Sequence, residues 1–199
     1  MEKSSNLEAL SNIVALTHRY QQIKRATYAT GEDRFENDVE HSFQLAFIGW
    51  YLIEREGLKL NKEKVLLYAL CHDIVEVYAG DASFYRTDEE EKRKLVLERE
   101  GLEKLERDYA DFPALAETIH IYEERKDEES KFVYALDKLI PMINIQLDNG
   151  RSWHHNKRSL QQICEAKQPK IAEDPIVHEY FILLVELLDK NPHLFPLSQ

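Results

Sequence analysis

The stretch Ala69-Leu-Cys-His-Asp-Ile-Val-Glu-Val-Tyr-Ala-Gly-Asp81 constrains this chain more than any other. From Asn61 onward the residues read as a helix, with Val65, Ala69, His72, Asp73 and Glu76 at i, i+4, i+7, i+8 and i+11 of one face. The apolar neighbours turn that face inward. A buried helix stripe that ends in His, Asp and Glu is costly without a cation or a partner charge. Gly80 suits the residue just past the last turn, where positive φ is needed. The acidic residues therefore fall in the last turns, away from the favourable end of the helix dipole. A divalent cation is the simplest compensation.

Helical periodicity runs through the rest of the chain, and hairpin signals are absent. Ser5 with Glu8, Asn37 with Glu40 and Thr87 with Glu90 read as capping pairs. The pair at Asn37 places His41 in the first turn of a second helix, whose apolar residues (Phe43, Leu45, Phe47, Ile48, Trp50, Leu52) go nearly all round and predict burial. Between the first two helices, residues 23–34 read as irregular and carry Arg25 and Arg34. The charged run Asp88–Asp108 reads as an exposed helix face, from which Lys92, Arg93 or Lys94 could reach a pocket mouth. Asp111-Phe-Pro113 opens a further helix. Another, starting at Asp127, carries Asp137 inside an apolar stripe (Phe132, Ala135, Leu136, Leu139, Ile140), with a bend expected at Pro141. It stops at Asn149-Gly150, a short helix follows around Leu160–Ile163, and Asp174-Pro175 starts the last one. The expected fold is all-α: one globular bundle of about seven or eight helices spanning residues 1–199.

Composition narrows the partners. A net charge of −11 argues against a nucleic-acid polymer, whose binding needs clustered Lys and Arg. A small phosphorylated molecule is compatible, because a few arginines in a pocket suffice. Cys71 and Cys164 have no metal-ligand spacing, and Cys71 reads as a small core residue. No apolar run is long enough to span a bilayer, and Met1-Glu-Lys-Ser-Ser lacks an apolar signal region. The expectation is a cytoplasmic protein without a membrane partner.

The order His41, His72-Asp73, Asp137 resembles the H…HD…D pattern of the HD-domain metal-dependent phosphohydrolases. Val39-Glu-His41-Ser, His72-Asp-Ile-Val-Glu76, Gly80-Asp81 and Lys131-Phe-Val-Tyr-Ala-Leu-Asp137 resemble the 5′-deoxynucleotidase subgroup. The similarity runs from about Ile23 to Ile143, well over half of the chain. It implies that His41, His72, Asp73 and Asp137 hold one divalent metal. Two imidazoles and two carboxylates suit Mn²⁺, Co²⁺, Fe²⁺, Ni²⁺ or Zn²⁺ better than Ca²⁺. Adjacent residues on a helix point about 100° apart, so the ion would sit between the directions of His72 and Asp73.

For the chemistry, Glu76 is expected to orient or deprotonate a metal-bound water, with Asp73 as ligand and possible proton acceptor; the competing role for Glu76 is holding an imidazole N–H. By the resemblance, Arg25 meets the substrate and Asp81 contacts its sugar; an ordinary N-cap or turn aspartate is the equal alternative for Asp81. Arg34 is a further candidate for the phosphate. Two departures fall where a base would bind. Ala26 replaces the aromatic residue that follows the matching arginine, and Ala82-Ser-Phe-Tyr85 replaces a proline-containing stretch. Tyr28, Phe84 or Tyr85 are the substitutes for stacking.

The leading reading is thus a phosphatase of nucleoside 5′-monophosphates that prefers deoxynucleotides. Hydrolysis of another phosphoester, such as a nucleoside triphosphate or an alarmone, is the alternative on the same fold. A di-iron oxygenase would need a second His pair, and a metal-stabilised nucleotide-binding module would lack turnover. His154-His155 reads as a solvated pair rather than a second metal site. Exposed apolar residues of the last helix point to a homodimer contact.

Overall fold

The computed structural model describes the backbone of residues 2–80 and 88–196, and the side chains of 6–80 and 92–196. Helix α1 spans Glu2–Gln21, so Ser5 lies within it rather than capping it. The segment expected to be irregular is instead a hairpin: β1 (Lys24–Tyr28) pairs antiparallel with β2 (Phe35–Asn37), in the register Lys24 to Asn37 and Tyr28 to Phe35. It carries no Asn-Gly or Asp-Gly turn and little alternation, which is why periodicity misses it. Gly31, at φ 79°, turns the link, and Ala29 N–H donates to the Arg34 carbonyl at 2.9 Å.

Asn37 then caps α2 (Asp38–Glu56). Its side chain accepts from Glu40 N at 3.0 Å, and Glu40 Oε2 accepts from Asn37 N at 3.1 Å. One face of α2 packs Leu45, Ala46, Leu52 and Ile53 inward. The opposite face was expected to be buried too, but Phe43 is 67% exposed and forms a row with Phe47 and Trp50. An apolar circumference alone does not supply enough partner helices to cover it.

Helix α3 (Lys62–Cys71) starts at the Asn61 cap and ends earlier than its periodicity implies. Residues 72–75 form turns, and a single helical turn, α4 (Glu76–Ala79), follows. Gly80 has the expected positive φ of 77°, but with ψ 151° it leaves as extended chain. Next come α5 (Asp88–Asp108) and α6 (Pro113–Glu124), with Pro113 at its start. Helix α7 (Glu128–Leu147) is capped by Asp127 and runs on through Pro141. The remaining elements are α8 (Arg151–His155), α9 (Leu160–Ile171), α10 (Pro175–Asp189) and a 3-10 turn at Pro192–Leu194. Helices α4 and α8, and the full length of α9, exceed the expected set. The fold class is nonetheless all-α.

Helix α7 is the axis of the core. Phe132, Ala135, Leu136, Leu139 and Met142 are buried against Leu45 of α2, Val65 and Ala69 of α3, Ile163 of α9, and Val177 and Leu188 of α10. Each such Val, Leu, Ile, Met or Phe side chain contributes about 1.5–3 kcal/mol on burial. Close approach of α2 depends on Gly49, where a Cβ would stand 3.1 Å from Val65 Cγ1. A second apolar cluster, with Leu16, Tyr20, Ile74, Val75, Leu105 and Ile119, clamps the turn after α3 from below. That turn is therefore held on both sides, between two packed cores. Cys71 is buried, Cys164 is half-buried, and both are free thiols. Ile182, Leu183 and Leu187 of α10 are exposed. Among the described residues, no helix is long and apolar enough to cross a membrane.

Candidate metal centre

Three elements converge on one point. The first turn of α2 brings His41, the turn after α3 brings His72 and Asp73, and the middle of α7 brings Asp137. One ligand atom from each of the four lies within 4.8 Å of the others. His41 Nε2 is 2.9 Å from Asp137 Oδ1, while His72 Nε2 is 2.9 Å from Asp73 Oδ2 and 3.8 Å from Asp137 Oδ1. The early end of α3 is what permits this. On a continuous helix His72 and Asp73 would diverge, whereas in the turn their side chains meet. His72 Nδ1 donates to the Ala69 carbonyl at 3.0 Å, which fixes the tautomer and leaves Nε2 aimed at the carboxylates.

The donor set suits a divalent metal. His41, His72 and Asp137 are buried, and His72 Nε2 makes no hydrogen bond within the protein. Burial, reinforced by the charge of Arg25, pushes the His41 imidazole down to about 4, so it stays neutral as a ligand must. Burial also raises Asp73 and Asp137. For Asp73, His72 and Arg25 outweigh it; for Asp137, Lys138 and His41 do, and both carboxyls stay ionised. His72 goes the other way: burial opposes its charge, but Asp73 and Asp137 raise it. A cation would take the place of that proton.

Arg25 on β1 lies against the centre. Its Nη1 donates to Asp38 Oδ1 at 3.0 Å and to Asp73 Oδ2 at 2.9 Å, and Nε is 3.5 Å from Glu36 Oε2. Glu76 is buried, and its carboxylate groups with Asp38 and Asp73 within 4.8 Å. Of the three basic residues offered by the start of α5, Lys94 is the one that reaches in, 3.8 Å from Glu76 Oε1 and 2.8 Å from Glu98. Arg34 is not brought to the centre. It forks onto Glu40 at 2.6 and 2.9 Å and onto Glu32 at 2.7 Å, because the carboxylate of the capping box lies directly beside it on the surface. Asp81, Phe84 and Tyr85 lie outside the described residues. Tyr28 is engaged in packing, stacked on Phe35 with ring centroids 4.6 Å apart. His154 and His155 are exposed at the end of α8 and belong to no metal-competent group among the described residues.

Three residues here were not singled out from the sequence. Glu36 Oε2 stands 4.0 Å from His41 Nδ1, and burial pushes its carboxyl up to about 7. Asp38 holds Arg25. Lys138 Nζ contacts Asp137 Oδ2 directly. The only sequence signal for each was its place beside a ligand or a cap. A cleft of about 440 Å³ opens from His72, Asp73, Glu76 and Asp137 and is lined further by residues of α5, α6, α7 and α9. A larger groove between α5 and α6, about 600 Å³, contains none of the four ligands.

Known proteins share this fold. A protein of Magnetospirillum magnetotacticum MS-1 described as a predicted metal-dependent phosphohydrolase superposes with a TM-score of 0.78 at 28% identity, over 96% of this chain and 98% of that one. A conserved hypothetical protein of Pyrococcus furiosus shares the fold, with a TM-score of 0.58 at 19% identity over 91% and 99%. The 4′-phosphooxetanocin A phosphatase of Priestia megaterium is 38% identical over 74 residues, which span 34% of this chain and 37% of that protein's length. The HD domain family matches residues 17–177. With that match over most of its length, the chain belongs to the HD-domain family.

Proposed function

We propose that this protein is a divalent-metal-dependent phosphomonoesterase acting on nucleoside 5′-monophosphates, with deoxynucleotides preferred. The convergence of His41, His72, Asp73 and Asp137 within 4.8 Å is the observation that carries the reading. The relatives support it, one described as a predicted metal-dependent phosphohydrolase and one named as a phosphatase. His41, His72, Asp73 and Asp137 would hold a divalent transition metal, which would supply Lewis acidity toward a phosphate oxygen and a water of lowered pKa.

The remaining steps belong to the chain's own groups. Glu76, buried beside Asp73, accepts the proton of the attacking water and returns it to the leaving oxygen. Asp73 is a second acceptor within reach. Arg25, now paired with Asp38 and Asp73, turns its guanidinium to the phosphate dianion, with Lys138 beside it. Asp81, one residue beyond Gly80, is assigned to the sugar, while Arg34 drops out of the assignment.

Phosphate release from a panel of nucleoside mono- and triphosphates, with and without Mn²⁺ or Co²⁺, tests the proposal. Metal-dependent release from 5′-monophosphates is the expected result. Release from triphosphates or alarmones alone would move the substrate to the alternative class, and binding without release would leave a nucleotide-binding module. A di-iron oxygenase finds no second His pair here: among the described residues, the other metal-competent group is Asp38, Asp73 and Glu76. Sizing by light scattering tests whether the exposed face of α10 forms a homodimer.

A further inference from the structure

The groove between α5 and α6, about 600 Å³, plays no part in the proposed reaction. Its volume lies within the range of sites that hold small molecules. The last turns of α5 give Leu105 and Tyr109 to the lining, and Phe112, Leu115 and Ile121 complete its apolar part. Phe112 and Ile121 are exposed to solvent there. The charged part of the lining is of one sign: Glu106, Glu117 and Glu124 contribute, and no Lys or Arg does. Glu106 pairs with His120 Nε2 at 2.7 Å and Glu124 with Lys126 at 3.1 Å, while Glu117 has no ion pair among the described residues.

Phe112 stands at the N-cap of α6, where its side chain accepts from none of the first-turn N–H groups. A serine or aspartate there would stabilise the helix. An exposed aromatic ring in that place breaks a local rule, and positions that do so concentrate at sites of function. Along one face of α6 follow Pro113, Glu117, Ile121 and Glu124, at i, i+4, i+8 and i+11. The ring of Phe112 therefore marks the start of the helix, and the acids gather toward its end, about 16 Å further on at a rise of about 1.5 Å per residue. The carbonyl end of α6 adds partial negative charge on the acidic side.

We infer that this groove binds an amphipathic cation, a small molecule with an apolar body against Phe112 and Leu115 and one protonated amine between Glu117 and Glu124. The apolar lining supplies the burial, and the one-signed rim supplies the choice of charge. An anion is repelled by that rim, which sets the site apart from the one that takes a phosphorylated substrate. The groove and the 440 Å³ cleft adjoin at His120, which lines both, yet none of the four metal-centre residues lines the groove.

Equilibrium dialysis tests the site with four probes: phenylbutylamine, the isosteric phenylbutanol, phenylpentanoate and butylamine. The full-length chain is used in excess Mn²⁺, so that the acidic metal centre does not itself attract the amines. Phenylbutylamine should saturate and bind about fivefold tighter than phenylbutanol, the gain one exposed ion pair gives. Against phenylpentanoate and butylamine its advantage should be at least tenfold. Phe112→Ser removes the ring and gives α6 a capping hydroxyl, so lost binding is not lost folding; it should weaken the amine and the alcohol alike, at least fivefold. Glu117→Gln combined with Glu124→Gln, both at exposed positions, should bring the amine to the affinity of the alcohol and leave the alcohol unchanged. No saturable binding of phenylbutylamine, or an affinity unchanged in Phe112→Ser, overturns the site. Phenylpentanoate or butylamine binding as tightly, or an unchanged amine preference in the double variant, overturns the amphipathic cation as its occupant. No phosphate release enters these measurements, so their outcome is independent of the phosphatase reading.

Discussion

Glu36→Gln separates two effects that a metal centre usually confounds. Glu36 is 6% exposed, 3.5 Å from Arg25 Nε, 3.5 Å from Asn144 Nδ2 and 4.0 Å from His41 Nδ1. Burial, only partly offset by Arg25, raises its pKa from 4.5 to about 7. The folded chain therefore binds this proton more tightly than the unfolded one. Its contribution to stability is full below pH 4.5 and is lost as pH climbs from 4.5 to about 7. A span of about 2.5 pH units at about 1.36 kcal/mol each puts the loss at about 3 kcal/mol. Glutamine stays neutral throughout, so the metal-free variant should be flatter over that window by this amount. Urea unfolding of both proteins at pH 5, 6, 7 and 8 in chelator measures it, and the neighbouring acids cancel because they are common to the pair. In the metal-bound protein the sign reverses. Glu36 Oε2 stands 4.0 Å from His41 Nδ1, close enough to favour the tautomer with the proton on Nδ1 and Nε2 free for the ion, and losing a supporting carboxylate of this kind costs about 10–100-fold in affinity. Cobalt titration at pH 8 should show Glu36→Gln binding more weakly by about that factor. Identical pH slopes, or identical cobalt affinities, would refute the corresponding half of the reasoning.

Other outcomes follow from the same geometry. His72→Ala and Asp137→Asn each remove one of four ligands, and the melting temperature of either variant should no longer rise with added Mn²⁺. Glu76→Gln should bind metal nearly as well as the parent while losing turnover by about 10²–10⁴-fold, as expected for a proton-transfer group. Asp127→Ala strips α7 of its cap, whose side chain accepts from Ser130 N and from the Tyr68 hydroxyl, each at 2.8 Å; chemical denaturation should show a loss of about 1–2 kcal/mol. Burial alone would raise Asp127, but those hydrogen bonds and Lys64 hold it at about 2. Its stabilisation is thus present above 3.8 and disappears as pH falls toward 2. Gly150→Ala places a Cβ 1.9 Å from the Leu194 carbonyl at φ 74°, and soluble expression or melting temperature should fall by the equivalent of at least about 2 kcal/mol.

The convergence of His41, His72, Asp73 and Asp137 was legible because buried His and Asp on apolar faces have few innocent explanations, and four in the right order have fewer. The capping pair at Asn37 and the Asp127 cap were legible for the same reason: short-range hydrogen bonding fixes them. The hairpin was not. Its strands are polar, and its pairing is decided by what packs on it, with Tyr28 and Phe35 stacking and Arg151 Nη2 donating to the Ala29 carbonyl at 3.0 Å. The end of α3 was also hidden, since the helical period of Val65, Ala69, His72 and Glu76 continues past it.

By itself the sequence determined the helical class and singled out His41, His72, Asp73 and Asp137, with Glu76 beside them, as one candidate set. These follow from side-chain chemistry and from periods of a few residues, which are local properties. Only the tertiary structure decided that α3 breaks at Cys71 so that His72 and Asp73 face one point, that Arg25 comes in while Arg34 stays on the surface, and that Glu36 stands beside His41 and Lys138 beside Asp137. Those relations join residues up to about a hundred positions apart, and contact at that separation depends on how helices pack, which no local pattern encodes.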